Sequence, residues 1–393
     1  MNIVRHIRGV LLPRLNGFIT RLFPLAAAIA IVAANSPTKA RADGTWLQPK
    51  SIKNVIVYYQ PGRFGGWPAN NGIWHWGNEI LVGFELGYYE ARQNTHSYDR
   101  NKPKRNILAR SLDGGETWHV EEPENFVGTD QKTVPPPGNI RFYDPNFAMR
   151  IGGNRFFISY DRGHQWEGPY DLSPFFPFEL TSRTDYLVGG QNRCALFLSA
   201  KQPQVHAGSY HDRAFCASTT DGGKTFKFLS WITGEPLDVR SVMPTTVRVS
   251  PVELVSVLRR RRQEPRGQPD NCWIDAYGSS DNGASWRFLS KVTDIPGKNG
   301  NPPSMTKLLG GRLCVVYGVR TPPYGIRARI SQDNGRTWSK EIMLRDHGRS
   351  WDEGYCRTIT RPDGKILSVY YIGTKDRVEP HIEATIWEAP PIH

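Results

Sequence analysis

The sequence predicts an all-β chain folded as a six-bladed β-propeller, and three observations carry that expectation. The 38 glycines and 30 prolines break helices too often for a bundle, while 12 tryptophans supply large anchors for short strands. The pattern Ser/Thr-x-Asp-x-Gly-x-(Thr/Ser)-aromatic recurs along the chain, with four close copies and a weaker fifth. Short β-rich runs after tight turns recur in phase with it, at roughly the 50-residue period of a propeller blade.

From the amino terminus, residues 1–42 stand outside this pattern. Arg5, Arg8, Arg14, Arg21, Lys39 and Arg41 occur there without one acidic residue, an apolar run covers 24–34, and Ala40-Arg41-Ala42 has the form of a signal-peptidase site. The apolar run is about half of the ~20 residues a spanning helix needs. We therefore expect a cleaved signal peptide, a secreted or periplasmic protein, no stable membrane insertion, and one propeller domain over 43–393.

The hairpins of that domain start at Gly77-Asn78, Gly153-Asn154, Gly189-Gly190, Ser250-Pro251, Gly311 and Asp363-Gly364. Each of the first five leads to one copy of the turn, centred on Asp113, Asp161, Asp221, Asp281 and Asp333. In such a turn Asp and Ser/Thr bond nearby backbone N–H groups, Gly takes positive φ, and the aromatic anchors the returning strand. The sixth hairpin has no such turn, so a strand at 54–59 is expected to close the ring against 381–387.

The formal charge of +13 falls to +7 without the basic leader, which favours an acidic ligand. Arg259–Arg262 lacks interleaved nucleic-acid motifs, and nucleic acid is not an expected partner. Strand alternation would turn two of these arginines inward and two to solvent. Five cysteines without CxxC spacing read as buried thiols or one or two bridges. No metal-ligand spacing and no cofactor fingerprint occurs, so no metal and no cofactor is expected.

In a propeller the segments that open the innermost strands converge on the central channel. Those ahead of the six hairpins hold Trp67 and Asn70, Asp144 and Asn146, Arg183 and Asp185, Met243, Asn301, and Asp352, Glu353, Tyr355 and Arg357. Arginines suit a carboxylate, carboxylates suit proton transfer, and an aromatic suits a sugar ring face. The alternative is that these charges pair with one another.

The repeated turn resembles the Asp-box of the sialidase (neuraminidase) superfamily, and the resemblance covers nearly all of 43–393. It implies an exo-acting glycoside hydrolase releasing a terminal acidic sugar from a glycan, by a retaining mechanism with a Tyr nucleophile. Carried over residue by residue, Tyr355 resembles the nucleophile and Asp99, or Asp144, the acid/base. Arg259 and Arg320 or Arg327 resemble carboxylate-binding arginines. The family's first-blade arginine reads Gly66-Trp67-Pro68 here, and its helper glutamate reads Met243. Arg183 or Arg357 is then expected to replace the first, and Glu353 the second. Trp67, Asn70 and Asp185 complete the expected substrate site. The alternatives are a propeller acting on a uronic-acid linkage, by hydrolysis or elimination, or a non-catalytic glycan binder.

Overall fold

The structure is a computed structural model that describes residues 46–123, 126, 131–202, 211–234, 238–262, 264 and 270–392; the expected signal peptide lies outside them. Six sheets form the blades of an all-β propeller. In blade 1 the innermost position is shared by Arg63–Gly66 and Gly72–Trp76, both paired to Glu79–Tyr88, with Arg105–Ser111 and His119–Glu121 further out. Blade 3 runs outward through Tyr186–Gly190, Arg193–Lys201, Asp212–Thr219 and Lys227–Trp231, and blade 4 through Val239–Arg248, Leu254–Arg262, Asn271–Ser279 and Arg287–Asp294. Blade 5 is Ser304–Lys307, Leu313–Val319, Gly325–Ser331 and Ile342–Arg345. Blade 6 is Gly354–Thr360, Ile366–Ile372 and His381–Glu388, completed by the amino-terminal strand Ser51–Tyr58. The ring thus closes where the sequence placed the closure, with Asn54 opposite Thr385.

Blade 2 departs from the sequence reading. Its strands are Ala148–Gly153, Arg155–Ser159 and Glu167–Asp171, and its innermost place is taken by Ser182–Arg183 on the way to blade 3. Ala148 pairs with Ser159 at the Asp-box end, so the Gly153-Asn154 turn joins the second and third strands, not the first two. The segment ahead of it, 143–146, therefore lies at the Asp-box end of the ring, where the Asn146 carbonyl accepts from Arg162 N–H at 3.0 Å.

Neighbouring blades cover both faces of each sheet, so central strands such as Leu313–Val319 and Ile366–Ile372 are buried at every position. This is why they read as unbroken apolar runs. The Asp-box turns form as expected. Asp221 accepts from the Thr225 amide (3.0 Å) and hydroxyl (2.6 Å), and Thr219 Oγ1 accepts from the Gly223 amide at 2.9 Å. All five cysteines are buried and unbridged. Among the described residues no helix is long and apolar enough to cross a membrane.

Candidate active site

Three innermost strands are broken at one level of the channel. Blade 1 inserts a 3-10 turn at Pro68–Asn70, blade 4 bulges between Val242 and Thr245, and blade 6 bulges between Gly354 and Arg357. Each break holds a non-glycine residue in the left-handed region: Trp67 at φ 55°, Met243 at 57° and Tyr355 at 49°. Such backbone strain costs about 1–3 kcal/mol per residue and persists only where surrounding contacts enforce it. All three side chains line one cavity of about 730 Å³, at the opposite end of the strands from the Asp-box turns.

Positive charge dominates this cavity. Lys104, Arg183, Lys201, Arg240, Arg259 and Arg261 face two carboxylates, Glu85 and Asp212. Both carboxylates are already engaged: Glu85 takes Asn70 Nδ2 at 2.9 Å and Lys104 Nζ at 2.7 Å, and Asp212 takes Arg240 and the Thr181 hydroxyl. Lys201 and Arg261 pair with Glu179 and Asp270 beside the cavity, which leaves Arg183 and Arg259 to suit it to an anion. Arg259 and Arg261 are the two of the four-arginine run that face it. Their neighbours Arg260 and Arg262 turn to Asp275 and Asp238, so alternation holds, although Arg260 is buried rather than solvated.

Tyr355 sits where these charges act on it. Burial pushes its phenol up, but Arg259 and Arg320, with Arg240 behind them, outweigh burial and hold it below the ordinary tyrosine value. Arg320 lies 5.4 Å from the Tyr355 ring centroid, anchored on the Glu353 carbonyl and the Tyr371 hydroxyl. It supports Tyr355 from behind and does not line the cavity.

Neither aspartate expected as the acid/base lines the cavity. Asp99 accepts from the Asn101 amide and faces Lys102, while its neighbour Tyr98 lines the cavity. Asp144, displaced with its segment, accepts from the Asn146 amide and pairs with Arg141. The cavity instead holds His96, whose Nδ1 lies 2.5 Å from Asp352 Oδ1 and whose ring packs on Trp67 and Trp351. Burial disfavours the charge on Asp352, yet His96, the Ser97 amide and the Tyr371 hydroxyl outweigh it and keep the carboxyl below its usual range. An Asp that fixes one imidazole nitrogen leaves the other for proton transfer.

The remaining expectations divide between cavity and core. Arg183, Trp67 and Asn70 line the cavity, with Arg183 Nε donating to Asn70 Oδ1 at 3.0 Å. Glu353 does not reach Tyr355. Two consecutive left-handed residues, Gly354 and Tyr355, turn the side chains apart, and the Glu353 carboxyl is buried against Gly348. Burial raises its pKa to about 8, against the Gly325 amide, Arg320 and Arg327. Arg357 and Asp185 lie deeper in the channel: Arg357 donates to the Ala69 and Thr184 carbonyls, and burial raises Asp185 to about 7 against the pull of Arg357. Sequence reasoning missed His96, Arg240 and Lys104. Arg240 begins an inner strand and was open to the same positional argument, whereas His96 has no sequence signal. Among the described residues no group of three or more His, Cys, Asp or Glu side chains is arranged to hold a metal ion.

Fold and repeat together define a propeller of the sialidase-like kind. The chain belongs to the BNR repeat-like domain family, which matches residues 142–368. No curated protein matches it in sequence. In structure it is similar to a protein of unknown function from Dyadobacter fermentans, at 19% identity and TM-score 0.64, covering 86% of this chain and 99% of that one. It is also similar to the Penicillium chrysogenum α-L-arabinanase complexed with arabinobiose, at 14% identity and TM-score 0.57, covering 88% and 100%. The NanB sialidase of Streptococcus pneumoniae matches at 12% identity and TM-score 0.54, covering 85% of this chain and 70% of that one. At these identities the likeness shows a fold that glycoside hydrolases share.

Proposed function

We propose that this protein is an exported glycoside hydrolase that releases a terminal acidic sugar, sialic acid first, from a glycan. The observation that carries the reading is Tyr355, facing a cationic cavity with its phenol held below the ordinary value by arginines. Arg183 and Arg259 would grip the sugar carboxylate, with Arg240 and Arg261 held beside them by Asp212 and Asp270, and Trp67 would meet a ring face. Tyr355, reacting as the phenolate that its arginines favour, attacks the anomeric carbon through Oη as the glycosidic bond breaks, and the leaving oxygen takes a proton from His96 Nε2. Water, giving its proton back to His96, then cleaves the glycosyl-tyrosine with net retention. Residues 1–42 would direct export and be removed.

One observation favours a second reading. Both cavity carboxylates are bound to cations, which leaves Tyr355 and His96 as the base and acid of an elimination beside an arginine-held uronate. There Tyr355 takes the proton next to the carboxylate, the glycosidic C–O bond breaks, and His96 protonates the leaving oxygen.

The test is turnover of 4-methylumbelliferyl sialoside and glucuronide, with ultraviolet absorbance recorded on a uronate oligosaccharide. Hydrolysis is expected to release fluorophore, and Tyr355→Phe to cut the rate by about 100-fold or more. A rise in conjugated double bonds without fluorophore release would assign the elimination. Binding of an acidic sugar without turnover of any substrate would assign a non-catalytic glycan binder and overturn both.

A further inference from the structure

In the second strand of blade 6, Ile366–Ile372, every position is buried and alternation sends neighbouring side chains to opposite faces. Tyr370 packs toward blade 5, and its hydroxyl meets Thr385 Oγ1 at 2.6 Å. Tyr371 packs toward blade 1, among Phe64, Trp67 and Tyr355. Its register partner is Gly354, in the bulge that holds Tyr355. The Tyr371 side chain is fully buried and does not line the cavity.

The Tyr371 hydroxyl lies between two buried charges. It accepts from Arg320 Nη2 at 3.2 Å and donates to Asp352 Oδ1 at 2.8 Å, the same carboxylate oxygen that meets His96 Nδ1. Arg320 is 3% exposed and Asp352 2%, and the ion pair of Asp352 is with His96, not with Arg320. Burial first, and then the Asp352 charge, hold the Tyr371 phenol well above its ordinary value against the pull of Arg320. The phenol therefore keeps its proton and turns it toward Asp352, since a guanidinium offers donors alone. A hydroxyl that accepts from a cation while donating to an anion is polarised along that line, which strengthens both bonds.

Both reactions proposed above change the charges at the two ends of this chain together. In the reacting form Arg320 stands by the Tyr355 phenolate and Asp352 by the His96 imidazolium. Attack or proton abstraction by Tyr355 consumes the phenolate, and the proton given to the leaving oxygen consumes the imidazolium, so net charge is conserved. Arg259 can still pair with a substrate carboxylate in the cavity, but Arg320 does not line it. Arg320 and Asp352 are then two buried charges that have lost their counter-charges, a costly arrangement unless something joins them. Among the described residues, Tyr371 is the side chain bonded to both. We infer that Tyr371 is a positioning residue that ties the arginine of Tyr355 to the aspartate of His96, so that Arg320 and Asp352 compensate each other once Tyr355 and His96 are discharged. The movement of charge rests on the catalytic reading of the cavity, and the bridge rests on the geometry.

The test is Tyr371→Phe in the full protein, which keeps the ring and removes the bridge. One readout is steady-state turnover of 4-methylumbelliferyl sialoside, its glucuronide or a uronate oligosaccharide, whichever the unaltered protein accepts. The other is the proton resonance of the His96 Nδ1–Asp352 Oδ1 hydrogen bond, assigned by its loss in His96→Asn. Loss of one hydrogen bond to a charged group is expected to cut kcat about ten-fold or more with KM unchanged, because Tyr371 touches no substrate. With one donor fewer, Asp352 draws the His96 proton more strongly, and the resonance moves downfield. Should Tyr371→Phe misfold, Arg320→Met tests the bridge from its other end, and the same resonance is expected to move downfield. A resonance that stays in place, or a raised KM with kcat unchanged, overturns the bridge and leaves the catalytic reading standing. Turnover of no substrate by the unaltered protein overturns that reading instead, and the resonance then decides the bridge alone.

Discussion

At the scale of single residues, the arginines around Tyr355 do not all line the cavity. Arg259 lines the cavity and Arg320 lies behind the Tyr355 ring, and both favour the phenolate over the phenol. Removing Arg259 leaves burial less opposed, so Arg259→Met is expected to raise the Tyr355 pKa. If the phenolate is the reacting form, the rising limb of the pH–rate profile moves to higher pH and turnover near neutrality falls; the same shift shows in ultraviolet titration of the phenol. An unmoved limb with a raised KM would make Arg259 a carboxylate ligand only. Tyr355 and Arg259 were legible because each sits at a blade position that the repeat fixes. Asp99 was off by a side-chain direction, since Tyr98 takes the cavity and Asp99 caps a turn. His96 was illegible because its meaning comes from Asp352, 256 residues away in the chain.

At the scale of elements, the Asp-box is a stability device whose parts can be weighed against one another. Asp221 is held to about 2 by the Thr225 hydroxyl and amide, which outweigh its slight desolvation. A carboxyl lowered in the folded state stabilises fully above its unfolded value near 3.8, and that contribution is lost as pH falls toward 2. Asp221→Ala is expected to cost about 1 kcal/mol of unfolding free energy at neutral pH, the low end for an exposed turn, and to leave the cavity's ligand affinity unchanged. Denaturant unfolding beside a binding assay checks both halves. The weak copy at Asp161 has Gln165 where the others have Thr or Ser, so its second oxygen lacks the hydroxyl that Asp221 enjoys. Packing makes up part of this, because Trp166 is almost fully buried with its indole N–H on the Gly163 carbonyl at 3.0 Å. The same blade shows where pattern reading fails at this scale. A glycine turn looks alike at either end of a blade, and only strand pairing tells that Gly153-Asn154 lies at the end opposite the Asp-box.

At the scale of the whole molecule, a ring of blades has one seam that no covalent link crosses. Here the amino-terminal strand Ser51–Tyr58 pairs with His381–Glu388, and just before it Leu47 exchanges backbone bonds with Glu341 and Met343 of blade 5. The segment 47–58 therefore ties the last two blades together, and its loss would leave the edge of His381–Glu388 unpaired. The seam was legible because five turns for six hairpins left one outer strand to be supplied from elsewhere. Within the seam, Asn54 and Thr385 are direct partners, with the Thr385 hydroxyl donating to Asn54 Oδ1 at 2.8 Å, so their side chains lie on one face. Asn54→Cys with Thr385→Cys brings two thiols together at this point, while the native cysteines stay buried and unavailable for exchange. If unfolding starts by opening the seam, the oxidised double variant unfolds at a higher temperature than the same protein after reduction. Closing so long a loop has an entropic ceiling of about 5 kcal/mol, from which any strain in the bridge subtracts. Equal midpoints in a fully bridged sample would mean that another blade opens first and that the seam is not the weak point of the ring.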